Sequence, residues 1–179
     1  GADPAIDGEE QAFLAIINNY RAQNGLGALS LNTEINNAAD WMSNDMAVNN
    51  YFSHTDSLGR DPFQRMAAFG YNYNTWKGEN LAAGTTTAQA AFDAWKNSPG
   101  HDANMLNANF TVIGIALICA PPGTTTYGCY WTNDFGGQGS APPPPAPTTP
   151  PPPPPTPEPT QEPTPEPTPE PTQEPTPEP

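Results

Sequence analysis

Twenty-one of the chain's 26 prolines lie at Pro142 or beyond. Proline donates no backbone hydrogen bond and fixes φ, so such a stretch builds neither helix interior nor sheet. With almost no apolar side chains it also buries no core. Any compact domain must therefore come from the part of this 179-residue chain before the prolines, which is long enough for one hydrophobic core. The sequence divides into an N-terminal segment (1–8), a folded domain (9–138), a proline-rich linker (139–155) and a repeat tail (156–179). The tail repeats Thr-[Pro/Gln]-Glu-Pro, and residues 156–167 and 168–179 are identical. Its preferred form is an extended polyproline II tail, rising about 3.1 Å and turning about 120° per residue. Threonines four apart then point to three sides in turn. Thr156, Thr160, Thr164, Thr168, Thr172 and Thr176 are candidate O-glycosylation sites on a stalk, and a bare semi-rigid spacer is the alternative.

The whole chain carries a formal charge of −14. Six glutamates of the tail account for part of it, leaving 13 acids against five bases before it, or −8. A surface of that sign repels phosphate backbones, so no nucleic-acid partner is expected. The two cysteines, Cys119 and Cys129, flank a Pro/Gly/Thr-rich loop. In an oxidising compartment they read as a hairpin disulfide, and otherwise as free thiols. The chain begins Gly-Ala-Asp-Pro and contains no transmembrane segment by length of apolar run. That start reads as a processed, exported chain, extracellular or at the cell surface.

Residues 9–23 predict a helix, with Phe13, Ile16, Ile17 and Tyr20 at three- and four-residue steps, ended by Asn24-Gly25. A second helix is expected from Asn32 or Thr33 to about Asn49, with Ile35, Ala38, Ala39, Met42 and Met46 on its apolar face. Asp61-Pro62 opens a third, to Phe69, and residues 85–97 form a fourth, stopped by Ser98-Pro-Gly100. Residues 71–83 are mixed, with part of them a strand, and 101–106 add a short helical turn. The apolar run 111–119 predicts a buried central strand, with 127–135 as its antiparallel partner. Helices first and a hairpin last give an α+β fold. Trp41, Trp76, Trp95 and Trp131 read as core or cleft walls.

Candidate chemistry rests on His54, His101 and Glu79. Two imidazoles and a carboxylate suit an open zinc site with a water in the fourth position. They suit equally a general acid/base pair without metal, and residue type alone does not choose. Ser53 and Ser98 lie beside the histidines, but no oriented base or oxyanion hole can be read for a serine triad.

Several segments appear in order: Asn19-Tyr-Arg21, Ser53-His54-Thr-Asp, Pro62-Phe63-x-Arg65, Gly78-Glu-Asn-Leu-Ala82, Trp95…Ser98-Pro-Gly-His101…Asn104-Met-Leu106, then Gly114 before Tyr130-Trp131…Phe135-Gly136. Together they resemble the bacterial branch of the CAP superfamily (cysteine-rich secretory proteins, antigen 5, pathogenesis-related 1) over residues 9–137. The resemblance implies a three-layer α-β-α sandwich. It also implies a cleft where His54, Glu79 and His101 converge and hold a divalent metal such as zinc. Many eukaryotic relatives carry a second glutamate three places after the helix-four tryptophan. Here Ser98 stands there, with Asp56 as the substitute. Bacterial relatives usually carry a base after Ser-Pro-Gly-His. Asp102 stands there instead and is expected to make the cleft more negative and raise the histidine pKa values.

Three functions fit these residues. The first is an extracellular binding or assembly module on a glycosylated stalk, with a lipid, glycan or protein ligand. The second is a metal-assisted hydrolase with His54, His101 and Glu79 as its catalytic candidates. The third is a fibril subunit that self-assembles through tail or domain.

Overall fold

The computed structural model describes residues 6–137, so the linker and repeat tail lie outside the described residues. Helix α1 (Gly8–Gln23) begins one residue earlier than the apolar spacing indicates, because Asp7 and Glu10 close a capping box. Asp7 accepts from the Glu9 and Glu10 N–H groups, and Glu10 Oε2 accepts from Asp7 N–H at 2.8 Å. Its Phe13 and Ile17 are fully buried. Strand β1 (Ser30–Leu31) has only two residues, too few to leave a sequence pattern. Helix α2 (Thr33–Asn49) is capped by the Asn32 side chain and ends on Asn50 in the left-handed region, φ 51°.

Helix α3 (Pro62–Ala68) is closed at its start by Asp61 and Gln64. Strand β2 (Lys77–Ala83) follows, then α4 (Ala88–Lys96). Helix α4 starts later than the composition indicates, because the Thr87 side chain caps it through Ala90 N–H. Helix α4 ends before Ser98-Pro-Gly as expected, and the same segment also starts α5 (Pro99–Met105), two residues earlier than the expected turn, with proline in the first turn. Strands β3 (Val112–Cys119) and β4 (Cys129–Gly136) form the predicted hairpin.

The sheet order is β1-β3-β4-β2, with β1 parallel to β3 and the other pairings antiparallel. Side chains alternate between its faces. Ile113, Ile115, Trp131 and Phe135 pack with Phe13, Ile17, Trp95 and Met105 under α1, α4 and α5. Val112 packs with Ile35, Ala38 and Met66 under α2 and α3, and Tyr130 with Met42 and Met46. The result is the expected α-β-α sandwich. Of the four tryptophans, Trp95 and Trp131 are core, while Trp41 and Trp76 are partly buried.

Gly114 sets how close α2 lies to the sheet. A Cβ there would sit 2.6 Å from the Ile35 and Asn36 backbone, so any side chain pushes the helix off β3. Because β1 is so short, it leaves the outer edge of β3 uncovered. Asn36 Oδ1 accepts from Ile115 N–H at 3.0 Å, and Glu10 Oε1 from Leu117 N–H at 2.8 Å. Buried donors are thus satisfied by side chains where no strand reaches them.

Cys119 and Cys129 are bonded and face each other in the β3–β4 register. A closed loop with a sequence separation of 10 is worth about 2–3 kcal/mol in chain entropy. Substituting serine for both cysteines is expected to lower unfolding free energy by that amount, read from urea denaturation with the m-value followed.

Candidate functional site

Strand β2 is the free edge of the sheet, and its alternation aims neighbouring residues at opposite layers. Glu79 faces the α2/α3 side and Asn80 the α5 side. The Asn80 Nδ2 donates to the His101 carbonyl at 3.0 Å, and Asn104 Nδ2 donates to Asn80 Oδ1 at 2.9 Å. Tyr20 OH donates to Asp102 Oδ1 at 2.9 Å, tying α5 to α1. The far end of α5 is held by Arg21, whose guanidinium donates to the carbonyls of Met105, Asn107 and Phe110. His101 therefore stands on a helix fixed at both ends.

His54 comes from the loop between α2 and α3. Asp45 anchors this loop, accepting from Tyr51 OH, from Ser57 N–H at 2.9 Å and from Ser57 Oγ–H at 2.6 Å. Burial disfavours ionised Asp45, but its hydrogen bonds from Ser57, Tyr51 and Asn49 outweigh that and hold its pKa below the usual range. Tyr51 is pushed well up, by burial and by the same carboxylate.

The loop brings the His54 ring against Glu79, with Nδ1 and Oε1 2.7 Å apart. The His54 side chain is 54 % exposed and that of Glu79 only 2 %. His101 is half-buried. Burial first, and then the charge of His54, lowers its pKa below the ordinary imidazole value. The fold thus joins His54 to Glu79, while His101 is tied to the next β2 residue, Asn80, through its main-chain carbonyl.

Beneath them lie residues that sequence alone did not single out as a site. Arg65 is fully buried. Its Nη2 donates to Glu79 Oε2 and its Nη1 to the His54 carbonyl at 3.3 Å. Asp134 stands opposite Glu79 in the β2–β4 register, fully buried, with no N–H or hydroxyl donor on either carboxyl oxygen; protonated, it can hydrogen-bond Glu79. Burial above all, then the Glu79 charge, raises the Asp134 pKa well above its ordinary value, with Arg65 opposing. The available signal was a run of polar residues, Thr132-Asn-Asp134, inside a strand flanked by Trp131 and Phe135.

Two expectations are corrected. Asp56 is no spare ligand: Oδ1 accepts from Leu58 N–H and Arg60 N–H, and Oδ2 accepts from Arg60 Nε at 2.8 Å. Asp102 does not raise the His101 pKa. It is engaged by Tyr20, and the His101 pKa moves down.

Among the described residues, no three His, Cys, Asp or Glu side chains are grouped to hold a metal ion. Both Glu79 oxygens are hydrogen-bonded, one to His54 and one to Arg65, so Glu79 stands behind the His54 ring as the group that orients it. Ser53 Oγ is turned to its own loop, accepting from Thr55 N–H at 3.1 Å. What the arrangement does offer is an imidazole oriented by a carboxylate.

The family model of the cysteine-rich secretory protein family (CAP) matches residues 14–135. Protein YkwD of Bacillus subtilis, itself uncharacterized, is 35% identical over 137 residues, covering 76% of this chain and 50% of that protein. The chain therefore spans about half the length of that relative, and less of the B. subtilis membrane protein YlbC, also uncharacterized, of which 31% is covered at 31% identity. An extracellular protein containing an SCP domain from Bacillus anthracis superposes with TM-score 0.63 at 27% identity, over 76% of this chain and 45% of that one. An outer surface protein of Borrelia burgdorferi gives TM-score 0.63 at 22% identity, over 77% of this chain and 100% of its own.

Proposed function

Because the chain belongs to the cysteine-rich secretory protein (CAP) family, we propose that it is an extracellular binding module, displayed on its proline-rich, O-glycosylated stalk. Its ligand is taken at the β2 edge between His54 and His101. The observation that carries this reading is the commitment of both Glu79 oxygens to neighbours. That carboxylate is held by Arg65 and in turn orients an imidazole. The edge has hydrogen-bonding groups in fixed positions, which suits recognition. The −8 surface around it favours neutral or cationic ligands. Export is supported by the formed disulfide and by similarity to a B. anthracis protein described as extracellular.

The test sets this reading against metal-assisted hydrolysis. The full chain and its His54→Ala and His101→Ala variants are incubated with nitrophenyl esters and with a peptide pool, with and without added zinc. Product is followed by absorbance and mass spectrometry. The binding reading expects the same background from all three proteins. Zinc-dependent turnover that both variants lose while keeping their circular dichroism would overturn it in favour of the hydrolase.

A further inference from the structure

Arg65 holds two things at once. One guanidinium nitrogen takes Glu79 Oε2, and another takes the main-chain carbonyl of His54 at 3.3 Å. The other Glu79 oxygen meets the His54 ring at 2.7 Å. The two hydrogen bonds found on His54, one on its ring and one on its backbone, therefore both lead to the same buried cation. A planar fork with several fixed donors makes this bridge, whereas a lysine ammonium is a point charge. Asp56 Oδ2 lies 3.8 Å from Arg65 Nη1, so a second carboxylate fixes the guanidinium from the loop side.

We infer that Arg65 is the positioning residue of the His54 site: by claiming one Glu79 oxygen and the His54 carbonyl it holds the other oxygen on the ring's Nδ1, and the group it orients there decides which ring nitrogen carries the proton. A carboxylate only accepts, so with Glu79 in place Nδ1 donates and Nε2 is left as the ring's acceptor. Arg65 touches no ligand and acts only through Glu79 and the loop. The inference rests on reading His54 as the ligand-facing wall. Its test uses ligand-free protein, so its failure and the failure of the binding reading are separate results.

The decisive variant is Glu79→Gln, read by nitrogen-15 chemical shifts of the His54 ring in the full chain above its titration range. Glutamine has one acceptor and one donor end. Arg65 claims the oxygen end, which turns the amide NH2 toward His54. The neutral ring is then expected to switch from the Nδ1–H tautomer in the wild type to Nε2–H in the variant. If the variant keeps Nδ1–H, the glutamine has offered its oxygen to the ring, Arg65 does not set the orientation, and the inference falls.

Arg65→Lys gives a second reading. It keeps the buried charge but not the fork. Glu79 remains an acceptor, so the Nδ1–H tautomer is expected to persist, but the hydrogen-bonded Nδ1 proton is expected to lose its downfield shift and exchange faster as the carboxylate loosens. An unchanged Nδ1 proton signal in a folded Arg65→Lys protein would reduce Arg65 to charge balance alone. Should that variant not fold, the glutamine result decides by itself, since it leaves Arg65 intact.

Discussion

Replacing Arg21 by methionine is expected to lower the unfolding free energy by about 4 kcal/mol and to disturb the His101 resonances, although the two residues are far apart in sequence. Arg21 is 1 % exposed, and burial lowers its pKa. The partners found for it are main-chain carbonyls: Gly27 through Nε at 2.8 Å, Met105 and Asn107 through Nη1, and Phe110 through Nη2 at 3.1 Å. Methionine approximates the stem but leaves four carbonyls short of a donor. At about 1 kcal/mol or more for each unsatisfied group, the loss approaches 4 kcal/mol. Removing a buried cation recovers some desolvation, but this guanidinium is already well solvated by carbonyl dipoles, so the lost hydrogen bonds win. Met105 closes α5, and its carbonyl lies at the negative end of that helix, where a cation is favoured. The measurement is a urea titration, with the midpoint falling by about 2 M at the slopes usual for small domains. Histidine side-chain spectra of the folded fraction report the displacement of α5. A loss below about 1 kcal/mol would show that water reaches those carbonyls and that Arg21 is no clamp.

Arg21 also marks where reading the sequence stops. It stands in the Asn19-Tyr-Arg21 segment, yet its contacts lie 84 and 89 residues away. Local spacing says nothing about such partners. Helices α1, α2 and α3 were legible because their apolar faces and caps are local. The β3–β4 hairpin was legible because its run is apolar and its ends carry cysteines. Strand β1 was invisible because two residues have no period. The Ser98-Pro-Gly segment was legible as the stop of α4 but not as the first turn of α5, because proline suits a helix start as well as a stop. His54, Glu79 and His101 were legible as residue types, but only the family resemblance brought them together. Arg65 was visible as part of a motif without a role. Its role depends on the Glu79–Asp134 register, which brings two carboxyls to one side of the sheet and calls for a buried cation there.

The same register predicts an unusual response to pH at Asp134. Its carboxyl is fully buried and faces that of Glu79 across the strands, where only its protonated form can hydrogen-bond the Glu79 carboxylate. Burial, then the Glu79 charge, raises its pKa well above 3.8, with Arg65 pulling the other way. A raised acid binds its proton more tightly in the folded chain. Its contribution is therefore complete below the unfolded pKa near 3.8 and is lost as pH rises through the folded value. Asparagine has nearly the same shape, does not titrate, and its amide can donate to Glu79 as the protonated acid does. Asp134→Asn should therefore match the wild type within about 1 kcal/mol near pH 4. Above that, its advantage should grow by about 1.4 kcal/mol per pH unit until Asp134 ionises in the folded wild type, and then level off. Taking the difference between the two proteins cancels the other carboxyls. Glu79 on β2, Arg65 on α3 and Asp56 in the loop change their surroundings least under this neutral replacement. Urea midpoints of both proteins at intervals from pH 4 to pH 8 give the curve. A variant less stable than the wild type throughout that range would mean that Asp134 is ionised and paired with Arg65. The cation would then be shared between two carboxylates, and Glu79 would hold His54 with only part of its support.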